Sequence, residues 1–319
     1  DPSAEALYIR KFGFRITSKH KNQPSMTESD MHRSGYAAII GKPNAGKSTL
    51  MNRILGTKIS ITTHKAQTTR HQVVGIYSDE QTQIVFLDTP GVITPTYELQ
   101  RAMMNTVERA RRDADVILFI FDPTDRHPTE EVVALLKSIQ KPIILVVNKM
   151  DAVKNETAEE KAADIEKSIQ CISTHYVSAL HGEGVEALID EIRSLLPPGP
   201  PYYPKEDLSE HPIRFFVSEL IREELFLQFH EEIPYSCSVD VVSYEESPEI
   251  DRISADIIVN RKSQKGMLIG KKGQAIKQLG IKSRESIEEF IGKKVFLDLH
   301  VKVREKWREK ENWVRSLGY

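Results

Sequence analysis

The sequence predicts a doubly wound, mostly parallel α/β sheet followed by a small α+β domain. Three observations carry that prediction. Between residues 36 and 196 short apolar runs alternate with helix-like stretches, a proline-rich break follows at 197–212, and beyond it the order changes to helix, two strands, helix, strand. Strand–helix alternation is the mark of a parallel sheet covered on both faces. A length of 319 residues also favours two domains over one.

Taken in order, residues 1–33 begin with Asp, carry Arg10, Lys11, Arg15, Lys19 and Lys21, and show no strong periodicity. An acid-poor stretch of this kind fits an added extension or a transit-peptide remnant, is expected to be disordered, and stands outside the fold argument. From 34 to 196 the expected first domain holds strands at 36–40, 84–87, 116–121, 143–147 and 172–177, rich in Val, Ile and Phe. Helices are expected at 98–112, 130–138, 158–169 and 185–196. Six of the 16 residues from 197 to 212 are proline, which predicts a stiff extended linker. The second domain, 213–319, opens with an amphipathic helix through Phe215, Leu220, Leu225 and Phe229. Strands at 236–244 and 252–260 follow, then a glycine-punctuated turn, a helix over 274–291, and a strand alternating at Val295, Leu297, Leu299, Val301 and Val303.

Composition excludes several classes. Hydrophobic residues are 39% and charged residues 28%, as in an ordinary globular protein. Two cysteines without C-x-x-C spacing argue against a disulfide framework or zinc ribbon and suit a reducing compartment. The ten histidines show no metal-ligand spacing, and no apolar run approaches the roughly 18–20 residues of a membrane span. The net charge of −2 hides a segregation: residues 213–260 carry 3 Lys/Arg against 11 Asp/Glu, and residues 261–319 carry 16 against 7. The basic end fits either a solvated face or a polyanion-binding surface.

Gly41-Lys42-Pro43-Asn44-Ala45-Gly46-Lys47-Ser48 follows a strand and opens a helix, the context of a phosphate-binding P-loop. Glycines let successive N–H groups turn toward phosphate oxygens at a helix N-terminus. Lys47 then reaches the β and γ phosphates, Ser48 ligates Mg²⁺, and Thr49 completes the phosphate-binding set. Asp88-Thr89-Pro90-Gly91 follows the strand at 84–87; its carboxylate suits a water-mediated Mg²⁺ contact and the Gly91 N–H a γ-phosphate. Asn148-Lys149-Met150-Asp151 follows the strand at 143–147. Asp151 accepts from guanine N1–H and the 2-amino group, which adenine lacks, so selection of about 10²-fold or more for guanine is expected. Ser178-Ala179-Leu180 completes the base pocket through a backbone N–H. These motifs, in order and at strand ends, read as a site for GTP and GDP.

With them the chain resembles translation-factor-type GTPases, and within that class the Era family. Lys65-Ala66-Gln67-Thr68-Thr69-Arg70-His71 resembles that family's effector loop, which implies a threonine, Thr69 or else Thr68, closing on Mg²⁺. Val92 stands where Ras-like GTPases carry a water-orienting glutamine. Asn44 resembles the asparagine that helps hold K⁺ in hydrophobic-substituted relatives, which implies potassium-stimulated turnover with Lys47, Thr69, Gly91 and Asn44 as the catalytic set. Asn44 as a simple loop cap is the other reading.

Ile269-Gly270-Lys271-Lys272-Gly273, followed by Ile276, carries a G-x-x-G loop in a basic segment, expected between a strand and a helix. The order matches a type II KH domain, whose loop clamps single-stranded RNA. The final stretch, Trp307–Tyr319, ending Val314-Arg315-Ser316-Leu317-Gly318-Tyr319, also resembles the end of Era proteins; Arg304, Lys306, Arg308 and Lys310 fit either more RNA surface or a solvated helix with Trp307 and Trp313 packed beneath. No second P-loop and no terminal cysteine motif is present, unlike two relatives of that class. The resemblance implies a monomeric switch that binds the 3′ end of small-subunit rRNA in assembly of that ribosomal subunit. It also implies a cytoplasmic location with peripheral membrane association, an organelle being the alternative. An RNA-binding module that senses GTP and scarcely hydrolyses it is the competing function.

Overall fold

The computed structural model describes residues 32–125 and 128–319. The expected extension over 1–33 lies outside them except for its last two residues. Arg33 already belongs to the first strand: main-chain pairing carries β1 (Arg33–Gly41) back past the apolar signal at Tyr36, with Arg33 opposite Thr82 and Ser34 opposite Gln83.

Six strands form the first sheet in the order β2-β3-β1-β4-β5-β6. β3 (Thr82–Asp88), β4 (Val116–Phe121), β5 (Ile143–Val147) and β6 (Ser173–Tyr176) run parallel to β1, and only β2 (Val73–Ser78) is antiparallel, to β3. The hairpin between β2 and β3 is closed by Asp79, whose Oδ1 accepts from the amides of Gln81 and Thr82 at 2.8 Å each. Helices cover both faces. α1 (Lys47–Leu55) and α5 (Val185–Leu195) pack over Ile39, Phe86 and Val146; α2 (Glu98–Asp113), α3 (Glu130–Lys137) and α4 (Asn155–Glu166) pack over Ile40, Leu87 and Val147. Odd and even residues of each strand thus feed separate cores, which is why the strands are apolar throughout. The order turns around at β1, so the carboxyl ends of β1, β3 and β5 face one crevice.

Residues 197–212 do not hang free as a spacer. Gln83 Oε1 accepts the amides of Tyr202 and Tyr203 at 2.7 and 2.9 Å, Tyr202 stacks on Tyr36 at 5.3 Å, and the Ile76 amide donates to Leu208 O at 2.9 Å. The segment covers the open edge of β2, and its prolines make that cover cheap in conformational entropy.

Beyond it, α6 (Ile213–Gln228) and the short α7 (Ile233–Ser236) lead into a second sheet, β7 (Cys237–Glu245), β8 (Asp251–Val259) and β9 (Val295–Val303), in that order. β7 and β8 are antiparallel, and β8 and β9 parallel. A helix absent from the sequence reading, α8 (Lys262–Ile269), precedes α9 (Gln274–Ile291). The glycine loop therefore joins two helices, not a strand to a helix. α8 shows no apolar stripe, because only Leu268 and the Gln264 amide are buried; Gln264 Oε1 instead holds the amides of Asn260 and Arg261 at 3.0 and 2.9 Å.

The chain's final segment wedges between the two units. Trp307 is fully buried, donates Nε1–H to Ser236 O at 2.9 Å, and packs with Val314 of α10 (Glu311–Ser316) against Leu99 and Met103 of α2 and Ile258 of β8. Arg304 lies over Trp313 at 4.6 Å and Arg308 over Tyr97 at 4.8 Å, so these two cations are spent on rings of the chain itself. Truncating Trp307 to Ala is expected to cost about 3–5 kcal/mol. Phe296→Ala, at a side chain 52% exposed, is expected to stay within about 0.5 kcal/mol. Chemical denaturation followed by circular dichroism compares the two.

Candidate functional site

The carboxyl ends of β1, β3 and β5 open onto a cavity of about 420 Å³. Its floor is the turn from β1 into α1. Gly46 takes φ +96° there, and a Cβ on it would stand 2.1 Å from Asn148 Nδ2. Gly91 passes as closely: a Cβ would meet the Pro43 nitrogen at 2.5 Å. No side chain caps α1, so its first-turn amides are left for an anion. Lys47 lies within this turn, donating to the carbonyls of Lys42 at 2.8 Å and Gly41 at 3.3 Å. Burial pulls its pKa down to about 8, against the pull of Asp88.

Four oxygen-bearing side chains meet at the cavity wall. Asp88 Oδ2 accepts from Ser48 Oγ at 2.6 Å and Ser60 Oγ at 3.0 Å, and Ser48 Oγ lies 3.0 Å from Thr69 Oγ1. Thr68 points elsewhere, its hydroxyl bonded to Lys65 O at 2.7 Å and Thr63 Oγ1 at 2.6 Å. Adjacent ligands of an octahedral Mg²⁺ with metal–oxygen distances of about 2.1 Å stand about 3.0 Å apart, which is the Ser48–Thr69 separation. Asp88 Oδ1 is buried without a protein partner, an acceptor suited to metal-bound water. Burial raises the Asp88 carboxyl's pKa, opposed by the Ser48 hydrogen bond and the Lys47 charge. The donor set fits a hard divalent cation.

At the far end Asn148 ties three loops together. Its Nδ2 donates to Ala45 O at 2.9 Å, its Oδ1 accepts the Ala179 amide at 3.0 Å, and its own amide bonds Phe121 O at 2.8 Å. Ser178 Oγ donates to Asp151 Oδ1 at 2.5 Å, which holds that carboxyl below the usual range. The Asp151 side chain is exposed at this end of the cavity. Lys149 reaches Asp122 Oδ2 at 2.5 Å.

Thr89 and the Val92 amide brace the adjoining loop around the buried Pro90: Thr89 Oγ1 donates to Ile39 O at 2.7 Å and the Val92 amide to Gly41 O at 3.0 Å. The Val92 side chain is buried in the core with Ile40 and Val107, so no side chain at this position can orient water. Asn44, at φ +63°, donates Nδ2–H to His64 O at 3.0 Å across the cavity mouth.

Sequence reasoning missed three supports. Asn52 Oδ1 accepts the amides of Ile59 and Ser60 at 2.9 and 2.8 Å, Arg53 Nε donates to Ala179 O at 3.1 Å, and Asp122 holds Lys149. Only Asp122, a carboxylate at the end of an apolar strand, left a readable signal.

The glycine loop lies in the other unit. Gly270, Lys272 and Gly273 have φ of +71°, +53° and +76°, and a Cβ on Gly270 would stand 2.6 Å from Ala275 Cβ. Ile269 and Ile276 flank it half-buried on the core, with Lys271 and Lys272 exposed. Among the described residues Arg261, Lys262, Lys265, Lys271, Lys272 and Lys277 are exposed and form no ion pair. Further along the same segment, Lys293 and Lys302 are neutralised by Asp251 and Asp256. The excess positive charge thus gathers at the loop, which favours the polyanion-binding reading over a merely solvated face.

Two outcomes follow from this geometry. Asp151→Asn is expected to weaken GTP by about 10²-fold. Affinity should return with xanthosine triphosphate, whose 2-oxo group accepts from the new amide; equilibrium binding of both nucleotides checks this. With its pKa near 8 in the free protein, Lys47 must gain a proton to meet phosphate. Calorimetry in buffers of different ionisation enthalpy should therefore register about half a proton taken up per nucleotide at pH 8, declining toward pH 7. By the same sign, this group's contribution to stability of the nucleotide-free protein rises as pH climbs from 8 toward the ordinary lysine value of 10.5.

Comparison with known proteins agrees with the geometry. A family described as 50S ribosome-binding GTPase matches residues 36–149, and the KH domain family matches residues 232–308. GTPase Era of Carboxydothermus hydrogenoformans is 41% identical over 292 residues, 90% of this chain and 98% of that protein. The chloroplastic GTPase ERA-like protein of Arabidopsis thaliana is 45% identical over 300 residues, 92% of this chain and 70% of that one. Among solved structures, Aquifex aeolicus Era bound to GDP and AlF4⁻ superposes with a TM-score of 0.86 at 35% identity, covering 90% of this chain and 99% of that chain. An Era complex with MgGDPNP and nucleotides 1506–1542 of 16S ribosomal RNA gives the same values. With a nucleotide cavity on one sheet, a glycine loop beside the other, and relatives at 41 and 45% identity that match at least 90% of this chain, the chain belongs to the Era family of GTPases.

Proposed function

We propose that this GTPase is a nucleotide-controlled RNA-binding switch acting in assembly of the small ribosomal subunit. One observation carries the reading: the loop that brings Thr69 to Ser48 continues directly into Arg70, which is buried against the second unit. Closure around a γ-phosphate and the seating of the RNA-binding unit therefore share one stretch of chain. Residues 34–196 act as the GTPase domain and 213–319 as the RNA domain, joined by 197–212.

In this proposal the turn from Gly41 to Thr49 receives the phosphates, with Lys47 on the β and γ groups. Ser48, Thr69 and Asp88 hold Mg²⁺, which draws off phosphate charge when bound. The Gly91 amide meets the γ-phosphate. Asn148 keeps the loops in register, holding the Ala179 amide, while Asp151 and the Ser178-Ala179-Leu180 turn, through the Leu180 amide, read guanine. Since Val92 offers no water-orienting group, hydrolysis is slow unless another charge enters. Asn44, beside the His64 carbonyl, supports K⁺ in that part, supplying the positive charge an arginine finger gives elsewhere.

RNA lies across Gly270, Lys271, Lys272 and Gly273 and against Ile269 and Ile276. The 16S RNA held by a solved relative supports a 3′-terminal small-subunit target, although the matched GTPase family is described by the 50S particle. Both sites and their connection lie within one chain, which supports a monomer. No helix among the described residues is long and apolar enough to cross a membrane, and peripheral membrane association rests on the family resemblance alone. Relatives of similar identity come from bacteria and from chloroplasts, so the proposed ribosome is of the bacterial type in either setting.

GTP turnover, measured in potassium and in sodium buffer with and without an oligonucleotide matching the small-subunit 3′ tail, tests the proposal. Potassium and RNA are each expected to raise turnover by about tenfold or more. Gly270→Asp, which sets a carboxylate against phosphate and a side chain against Ala275, should abolish the RNA effect alone. Turnover indifferent to RNA would favour a module that only senses nucleotide.

A further inference from the structure

The loop over residues 58–71 closes the cavity, and its outer side is held by the second unit. Glu223 of α6, with its side chain 3% exposed, accepts from Lys58 Nζ at 2.6 Å and from the Thr62 amide at 3.0 Å. Lys65 donates to the carbonyl of Phe226 and, at 2.5 Å, to that of Phe229. These carbonyls lie at the C-terminal end of α6, where orphan acceptors and the helix dipole favour a cation. On the inner side Ser60 bonds Asp88 and Asn44 bonds His64. The span between Lys58 and Lys65 is thus clamped between the nucleotide cavity and one helix of the RNA-binding unit.

We propose that Glu223 is a positioning residue of the GTP site. By fixing residues 58–62 in the closed arrangement, it raises affinity for nucleotides that carry a γ-phosphate over those that do not. This rests on the reading above that closure of the loop distinguishes GTP from GDP. A group that stabilises only the closed state can add affinity only to the ligand that requires it. GDP, with no γ-phosphate to close upon, gains nothing from Glu223.

The two hydrogen bonds of Glu223 differ in weight. Lys58 is 52% exposed, so solvent screens its ion pair with Glu223. The Thr62 amide bonds a buried carboxylate, and losing that acceptor leaves a main-chain donor unmet. The Thr62 contact therefore dominates, and a neutral acceptor at position 223 should serve nearly as well as a charged one.

The test uses the full chain with Mg²⁺ and compares affinity for GDP with that for a non-hydrolysable GTP analogue. Glu223→Ala is expected to weaken the analogue by about tenfold with GDP held within about twofold. Glu223→Gln, which keeps a carbonyl to accept the Thr62 amide, should remain within about threefold of the parent for both. Lys65→Met, at a partly exposed position that threatens no core, should weaken the analogue by about three- to fivefold, and it carries the test if Glu223→Ala does not fold. An unchanged ratio in Glu223→Ala, or an equal loss for both nucleotides, overturns the assignment. RNA affinity of the parent chain with either nucleotide separates the two proposals. If it does not differ, the switch reading fails, while the Glu223 assignment still stands or falls on the nucleotide ratio.

Discussion

The guanidinium of Arg70 is buried where the two units meet. One nitrogen donates to Cys237 O at 2.6 Å and another to Pro234 O at 2.8 Å, and the charge stands 5.8 Å from the centre of the Phe226 ring. A buried cation is costly unless its donors are met. Here two main-chain carbonyls and an aromatic face meet them, in a planar fork that a lysine ammonium could not reproduce. Neighbouring Cα atoms are about 3.8 Å apart, so the seat of Arg70 and the approach of Thr69 to Ser48 cannot be set independently. His71 extends the same contact, stacked on Tyr319 at 4.2 Å. Burial pushes its pKa down to about 4, so the ring stays neutral near neutral pH.

Against that junction the nucleotide side is already assembled. Asn148 joins the phosphate turn to the base loop, Thr89 and the Val92 amide join the β3 end to β1, and Arg53 braces Ala179 from α1. Little ordering is left for the ligand to impose there, which favours tight binding. Catalysis is a different matter. The position that could orient water is occupied by a core valine, so a binding cavity is built into the fold while a side chain to orient water at this position is not.

What the sequence reveals divides along the same line. β4 and β5 lie at the residues their apolar runs indicate because every side chain in them is buried. α9 and β9 are as legible, since helical period and strand alternation each survive half-burial. β2 has strand composition, but Gly75 reads as a break; in the fold a Cβ there would stand 2.6 Å from Leu55 Cδ1, so the glycine answers a packing need. The residues expected at phosphate, Mg²⁺ and guanine come together because their motifs sit at strand ends and the topology aligns those ends. Arg70, Glu223 and Lys65 carry no comparable signal. Their partners lie more than 150 residues away along the chain, and a charged residue in a loop looks the same whether it faces water or another domain.

α6 is where these remote contacts converge. Glu223 and the Phe226 and Phe229 carbonyls hold the loop that closes over the nucleotide, and two residues past Phe226, Gln228 Nε2 donates to Ala275 O at 2.8 Å. Ala275 is the residue that a Cβ on Gly270 would strike, so its position sets the shape of the glycine loop. One helix end thus bonds to both the loop over 58–71 and the backbone beside the glycine loop. Coupling between distant sites requires an element with two arrangements that both sites bias. α6, packed on Ile253 and Ile287, is the element that touches both the loop over 58–71 and the glycine loop's neighbour Ala275. The acidic character of 213–260 takes on a local meaning in this frame. Glu219 is buried against Arg222 and Glu223 against the loop, so part of that negative charge serves as internal fastening. The unpaired positive charge beside Gly270 is left to the solvent, where a polyanion can reach it.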